Sequence, residues 1–179
     1  HQPDNRYCTV GLDNVAGARL AVDHLINSGR KKIAYFGANN AVEFEQRQQG
    51  WHQALKKANL PSDLIINAPI TGDDAYQALS HFLSQGKTFD ALFAASDVFA
   101  ARALKVLSEH GRSVPQDVAV VGFDDIQLAQ VLHPSLTTIS QDLVNGSRHM
   151  VDLLFKRMAG EATQSVMLEP KLVVRESAP

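Results

Sequence analysis

Two hydrophobic rhythms alternate along the chain. In one, short runs are apolar at nearly every position: Ile33-Ala-Tyr-Phe-Gly37, Ala91-Leu-Phe-Ala-Ala95 and Val118-Ala-Val-Val-Gly-Phe123. Such runs read as strands covered on both faces. In the other, apolar residues recur at helical spacing. Val15, Ala18, Ala21, Val22, Leu25 and Ile26 predict a helix over 14–28, with Asp13 as N-cap and Gly29 past its end. Phe44, Trp51, Leu55 and Ala58 share one face of a helix over 43–58, which Pro61 bars from continuing. Ala75, Leu79, Phe82 and Leu83 predict a helix that starts at a cap on Asp73 or Asp74 and runs to Gln85. A helix over 100–110 follows, with Ser96 or Asp97 as cap and Gly111 as stop. Residues 126–132 suit a turn or two. A long amphipathic helix over 142–158 is expected to turn Leu143, Met150, Val151, Leu154 and Met158 inward. Residues 7–11, 64–67, 136–139, 165–168 and 172–174 are short β-prone segments.

Strand and helix therefore alternate through most of the chain. That order predicts an α/β fold, a three-layer parallel sheet with helices on both faces. The rhythm breaks after Pro134, which marks the best place for a crossover between lobes. With 179 residues the chain is long enough for one large domain or two small ones. A net charge of −2 and a pI near 6.4 argue against a basic nucleic-acid footprint on this chain. One cysteine, Cys8, excludes an intramolecular disulfide and favours a reducing compartment. No apolar run of about 18 residues exists to span a membrane. The polar start, His1-Gln-Pro-Asp-Asn-Arg6, lacks the apolar core of a signal peptide and reads as a cut inside a longer protein.

The apolar strands stop abruptly at polar residues: Ser96 and Asp97 after one, Asp124 and Asp125 after the next. In open α/β sheets the carboxyl edge is where ligands bind. Asp97 is read either as a helix cap alone or as a cap that also walls a pocket. Two adjacent aspartates exceed what one turn requires, and unpaired carboxylates at a cleft edge accept readily from ligand hydroxyls or amines. Arg47 lies early in the helix after strand 33–37 and reaches the same edge. A guanidinium fork facing a carboxylate suits a neutral polyhydroxylated ligand. Trp51 is read as core or interface rather than a stacking platform. Glycine-rich phosphate loops, a Gly-x-Ser-x-Gly elbow and a His-Glu-x-x-His helix are all missing from the sequence, and its histidines are scattered. The residues thus point to a binding protein that needs no cofactor or metal, rather than to an enzyme.

The ordered set Val10-Gly-Leu-Asp-Asn-Val-Ala-Gly-Ala-Arg-Leu-Ala-Val-Asp-His-Leu-Ile-Asn-Ser-Gly29, Lys32-Ile-Ala-Tyr-Phe-Gly37, Arg47-Gln-Gln-Gly50, Ser96-Asp97, Val121-Gly-Phe-Asp-Asp125 and Pro134-Ser-Leu-Thr-Thr-Ile139 resembles the LacI/GalR family of bacterial transcriptional regulators. The likeness covers essentially the whole chain. It implies the effector-binding domain of that family, a type I periplasmic-binding-protein-like fold that begins midway. Residues 1–13 would be a remnant of the N-terminal lobe and 14–138 the C-terminal lobe. Residues 139–160 would cross back to the N-terminal lobe, and 161–179 would be the final strands of the C-terminal lobe. The DNA-binding helix-turn-helix would lie outside this chain. The resemblance implies effector contacts at Arg47 and Asp124, with Ser96 standing where many members carry Asn, Asp97 beside it, and Phe44 and Asp73 near the pocket. It also implies a homodimer, with contacts along 97–110 and 129–133.

The expected function is effector sensing, for a sugar or nucleoside, by a cytoplasmic regulator that reaches DNA only through the absent domain. The alternatives are a periplasmic sugar-binding protein of a transport system and a Rossmann-type enzyme. If a missing lobe leaves apolar surface around 7–13 and 139–158, that surface is expected to meet a partner chain or to rearrange.

Overall fold

A computed structural model describes residues 7–39, 41–69 and 74–179. The elements run β1 (Val10–Leu12), α1 (Asn14–Asn27), β2 (Ile33–Gly37), α2 (Val42–Lys57), β3 (Ile65–Asn67), α3 (Asp74–Ser84), β4 (Ala91–Ala94), α4 (Asp97–Glu109), β5 (Ala119–Asp124), α5 (Gln127–Val131), β6 (Thr137–Ser140), α6 (Leu143–Met158), β7 (Val166–Leu168) and β8 (Lys171–Val173). Six strands form one sheet in the order β3-β2-β4-β5-β6-β8, parallel except for β8, which pairs antiparallel with β6.

The continuous apolar runs exist because both faces of this sheet are covered. Ile33, Tyr35, Phe93, Val121 and Phe123 point toward α1 and α2, where they meet Val22, Leu25, Trp51 and Leu55. Their neighbours Ala34, Phe36, Leu92, Ala94 and Val120 point the other way, toward α3 and α4, and meet Leu79, Phe99, Ala103 and Leu107. Trp51 is wholly buried and donates its indole N–H to the Ile33 carbonyl at 3.2 Å, a core residue as expected. Asp13 caps α1 by accepting from Ala16 N at 2.9 Å. The close approach of α1 and α2 depends on Gly50. A Cβ there would collide with the Val15 carbonyl and with Ala18.

Two expectations are corrected. The first β-prone segment after residue 161 does not join the large sheet: β7 pairs in parallel with β1 in a separate two-stranded sheet, Val10 opposite Val166. Only β8 reaches the six-stranded sheet. The apolar side of α6 is also not turned into a core. Leu143, Met150, Val151, Leu154 and Met158 are between 49% and 74% exposed. Periodicity identifies an apolar stripe, but not whether the chain supplies a surface to cover it. Here α6 rests on the β1–β7 pair through Gly146, where a Cβ would lie 3.1 Å from Leu168 Cδ1, closer than ordinary contact. The expectation of exposed apolar surface around 139–158 agrees with this arrangement.

Candidate ligand cleft at the carboxyl edge of the sheet

The carboxyl ends of β4 and β5, the starts of α1 and α2, and the segment after β6 converge on one edge. Arg47 stands at its centre and is 6% exposed. Its Nη1 donates to the Ala95 carbonyl at 2.7 Å and lies 3.1 Å from Asp124 Oδ1. Its Nε donates to Asn14 Oδ1 at 2.9 Å. The guanidinium stacks 3.8 Å from the Phe123 ring centroid and 5.6 Å from that of Phe44. A planar cation over an aromatic face, with acceptors at its rim, is fixed in orientation. Asn14 in turn donates to Gln46 Oε1 at 3.0 Å. Gln141 donates to Asp124 Oδ1 from the opposite side.

Burial dominates the electrostatics. It lowers the pKa of Arg47, against the pull of Asp124, and raises that of Asp124, against the pull of Arg47 and Gln141. The pair is an ion pair with one end at the protein surface. Beside it opens a cavity of about 520 Å³, lined by Asn14, Glu43, Gln46, Arg47 and Gln141 on one side and by β1 and Met167 on the other. Amide and carboxylate groups mix donors with acceptors, the pattern that recognises neutral hydroxylated molecules. A larger hollow of about 760 Å³ lies at the other end of the sheet, between Arg112, His133 and Glu176. Glu176 is already engaged there by the Ser135 N–H and hydroxyl.

The residues expected at the site divide. Arg47, Asp124 and Phe44 come together. Ser96 is buried beneath them and caps α4, its Oγ accepting from Phe99 N at 3.3 Å. Asp97 is neither the cap nor part of the cavity lining. Its side chain is fully buried, and its oxygens accept from Thr138 Oγ1 at 2.5 Å and Ile126 N at 2.9 Å. With the cap supplied one residue earlier, Asp97 begins the helix proper and turns down against β6. The aspartates at the end of β5 are also not unpaired. Asp124 faces Arg47, and Asp125 binds Arg175 at 2.7 Å. Asp73 lies outside the described residues.

Asn14, Gln46 and Gln141 were not anticipated. Asn14 directly follows a capping Asp and Gln46 directly precedes Arg47, so proximity to known features was the only signal for either. Among the described residues, no group of three or more His, Cys, Asp or Glu is placed to hold a metal ion.

Residues 22–178 match the periplasmic binding protein-like domain. The chain is 38% identical over 180 residues to the HTH-type transcriptional regulator CelR of Thermobifida fusca, covering 98% of this chain and 53% of CelR. The chain belongs to the periplasmic binding protein-like domain family of LacI-type regulators. A solved CelR–cellobiose complex superposes on this LacI-type domain with a TM-score of 0.89 at 38% identity, covering 98% of this chain and 55% of that one. A dimeric Lac repressor with an 11-residue C-terminal deletion gives a TM-score of 0.89 at 29% identity, covering 94% and 63%. The chain spans about half the length of the curated relatives it matches.

Proposed function

We propose that the chain is the effector-sensing part of a LacI-type DNA-binding transcriptional regulator. Its effector is a sugar or a related small polyhydroxylated molecule, bound at the Arg47–Asp124 edge, and the protein is not an enzyme. The observation that carries the reading is the fixed guanidinium–carboxylate pair flanked by the amides of Asn14, Gln46 and Gln141 on an open cavity. That edge offers donors and acceptors to hydroxyl groups but, among the described residues, no nucleophile beside a base. The naming of cellobiose in the CelR complex supports a saccharide. In this reading the regulator is cytoplasmic, acts as a homodimer and touches DNA through a separate helix-turn-helix domain. The dimer is supported by the dimeric Lac repressor neighbour and by apolar side chains left exposed together on α4 and α5, Val98, Leu128 and Val131. Effector binding then changes operator affinity only through different affinities for two conformations.

The names of the relatives favour a regulator over a transport protein of the same fold. Among the described residues, no helix is long and apolar enough to cross a membrane. The test is a thermal-shift screen of neutral mono- and disaccharides on the full-length regulator, where binding stabilises by RT ln(1 + [L]/Kd). The hit is then carried into operator-binding assays. Arg47→Ala and Asp124→Ala are expected to bind operator normally and to ignore the sugar. Wild-type effector response in both variants refutes the assignment.

A further inference from the structure

Asp97 lies buried beneath the cleft and accepts from the amide that follows the Asp124–Asp125 turn. The chain leaves β5 through two successive residues of positive φ, Asp124 at 116° and Asp125 at 53°. A left-handed Asp is tolerated, but φ near 116° is strained and persists only where the surroundings over-determine it. Four contacts do so. Asp124 is held by Arg47 and Gln141, Asp125 is held by Arg175, and the next amide, Ile126 N–H, is held by Asp97. The Asp97 bond is the only one of these made by a fully buried side chain. The sheet makes room for it: a Cβ on Gly122 would strike Asp97 Oδ1, Leu136 and Thr138. Glycine inside a strand weakens it, so its presence here fits the need to admit this carboxylate.

We propose that Asp97 is a positioning residue of the cleft, whose carboxylate bridges Thr138 and Ile126, fixes the left-handed Asp124–Asp125 turn, and thereby keeps Asp124 opposed to Arg47. The proposed effector site gives this its functional meaning, but the geometry and its test require no effector. The charged groups around Asp97 are Asp124 and Asp125 from the end of β5. Arg47 of α2 and Arg175 beyond β8 each pair with one of those aspartates rather than with Asp97, and β6 contributes only the Thr138 hydroxyl. Burial pushes the Asp97 carboxyl up to about 6, against the pull of Thr138 and Ile126 and with a further push from Asp124 and Asp125. Ionised Asp97 is a charge-assisted acceptor for Ile126 N–H. Protonation weakens that bond.

The experiment is ligand-free. Isotope-labelled chain is titrated from neutral to mildly acidic pH while the Asp97 carboxyl carbon and the Ile126 amide are followed by NMR, with amide-exchange protection measured at each end. The Ile126 amide is expected to shift with the same midpoint as Asp97. Its protection should fall about tenfold on the acid side, while Leu92 and Val120 stay protected. Asp97→Asn offers Ile126 N–H a neutral acceptor at every pH, so it is expected to abolish the Ile126 transition and to hold its protection at the acid-side level throughout. An Ile126 amide that is flat through the Asp97 titration overturns the proposal. So does a loss of protection that Leu92 and Val120 share equally, because Asp97 would then support the whole fold and not the turn. Failure of the sugar screen leaves either result standing.

Discussion

Replacing Arg47 and Asp124 singly and together tests whether the edge is a coupled unit. Arg47→Met removes the cation from a carboxylate that is 22% exposed and leaves Asp124 with Gln141 as its hydrogen-bond donor. It also releases the Ala95 carbonyl and Asn14 Oδ1. Stripping one partner from a buried pair costs about 3–5 kcal/mol. The partial exposure of Asp124 and the access of the freed acceptors to cavity water put the expected loss near the low end, about 3 kcal/mol. Asp124→Asn keeps the shape and leaves Arg47 two acceptors, so its loss is smaller, about 2 kcal/mol. The double variant removes both charges and should fall short of the sum by about 1–2 kcal/mol. Urea unfolding followed by the fluorescence of Trp51, the sole tryptophan, measures all four corners of the cycle. Additivity within about 0.3–0.5 kcal/mol refutes the coupling. In that case the short contact in the fold is incidental, and the site has no preorganised pair.

Other outcomes follow from the same geometry. Because the folded-state pKa of Asp97 is raised from 3.8 to about 6, its contribution to stability is fully present below the unfolded value and is lost as pH rises through the folded one. The difference corresponds to about 3 kcal/mol, so Asp97→Asn should flatten the stability–pH curve between these values in urea titrations. Gly50→Ala, inside a helix where Ala is otherwise favoured, should lower the unfolding free energy by about 1–3 kcal/mol, because the added methyl meets the Val15 backbone. Leu154→Ser on α6 should change the urea midpoint by less than about 0.5 kcal/mol equivalent and reduce self-association by light scattering, since Leu154 is 58% exposed. A core-sized loss there would mean that α6 has a covering surface within the chain.

Much of the fold was readable because it depends on local pattern. Ile33–Gly37 and Ala91–Ala94 are buried at every position, and a short unbroken apolar run between turn residues is what a strand covered on both faces requires. The cap at Asp13 and the break at Pro61 are equally local. Errors arose where a residue's partner is distant in sequence. Ser96 and Asp97 are both good caps, and only Thr138, on a strand well further along the chain, shows which one is free to turn inward. Asp125 looked unpaired because Arg175 follows the last strand. Asn14 and Gln46 gave no signal beyond their places beside Asp13 and Arg47, and Gln141 gave none, since polar residues at helix starts and loop ends are common. The apolar stripe of α6 was visible, but its exposure depends on what the rest of the chain provides.

The pairing of β1 with β7 also bears on how the molecule assembles. The Val166 N–H donates to the Thr9 carbonyl across almost the whole length of the chain, and Cys8 reaches Thr163 beside it. Closing so long a loop forfeits chain entropy that only a three-residue ladder offsets directly. The large sheet brings these ends near each other and lowers the cost of closure, so the small sheet forms after it and opens before it. The partner of β1 is synthesised only after every strand of the large sheet except β8 has been made. Assembly of the small sheet is therefore a late checkpoint that senses whether everything between the two strands has already folded.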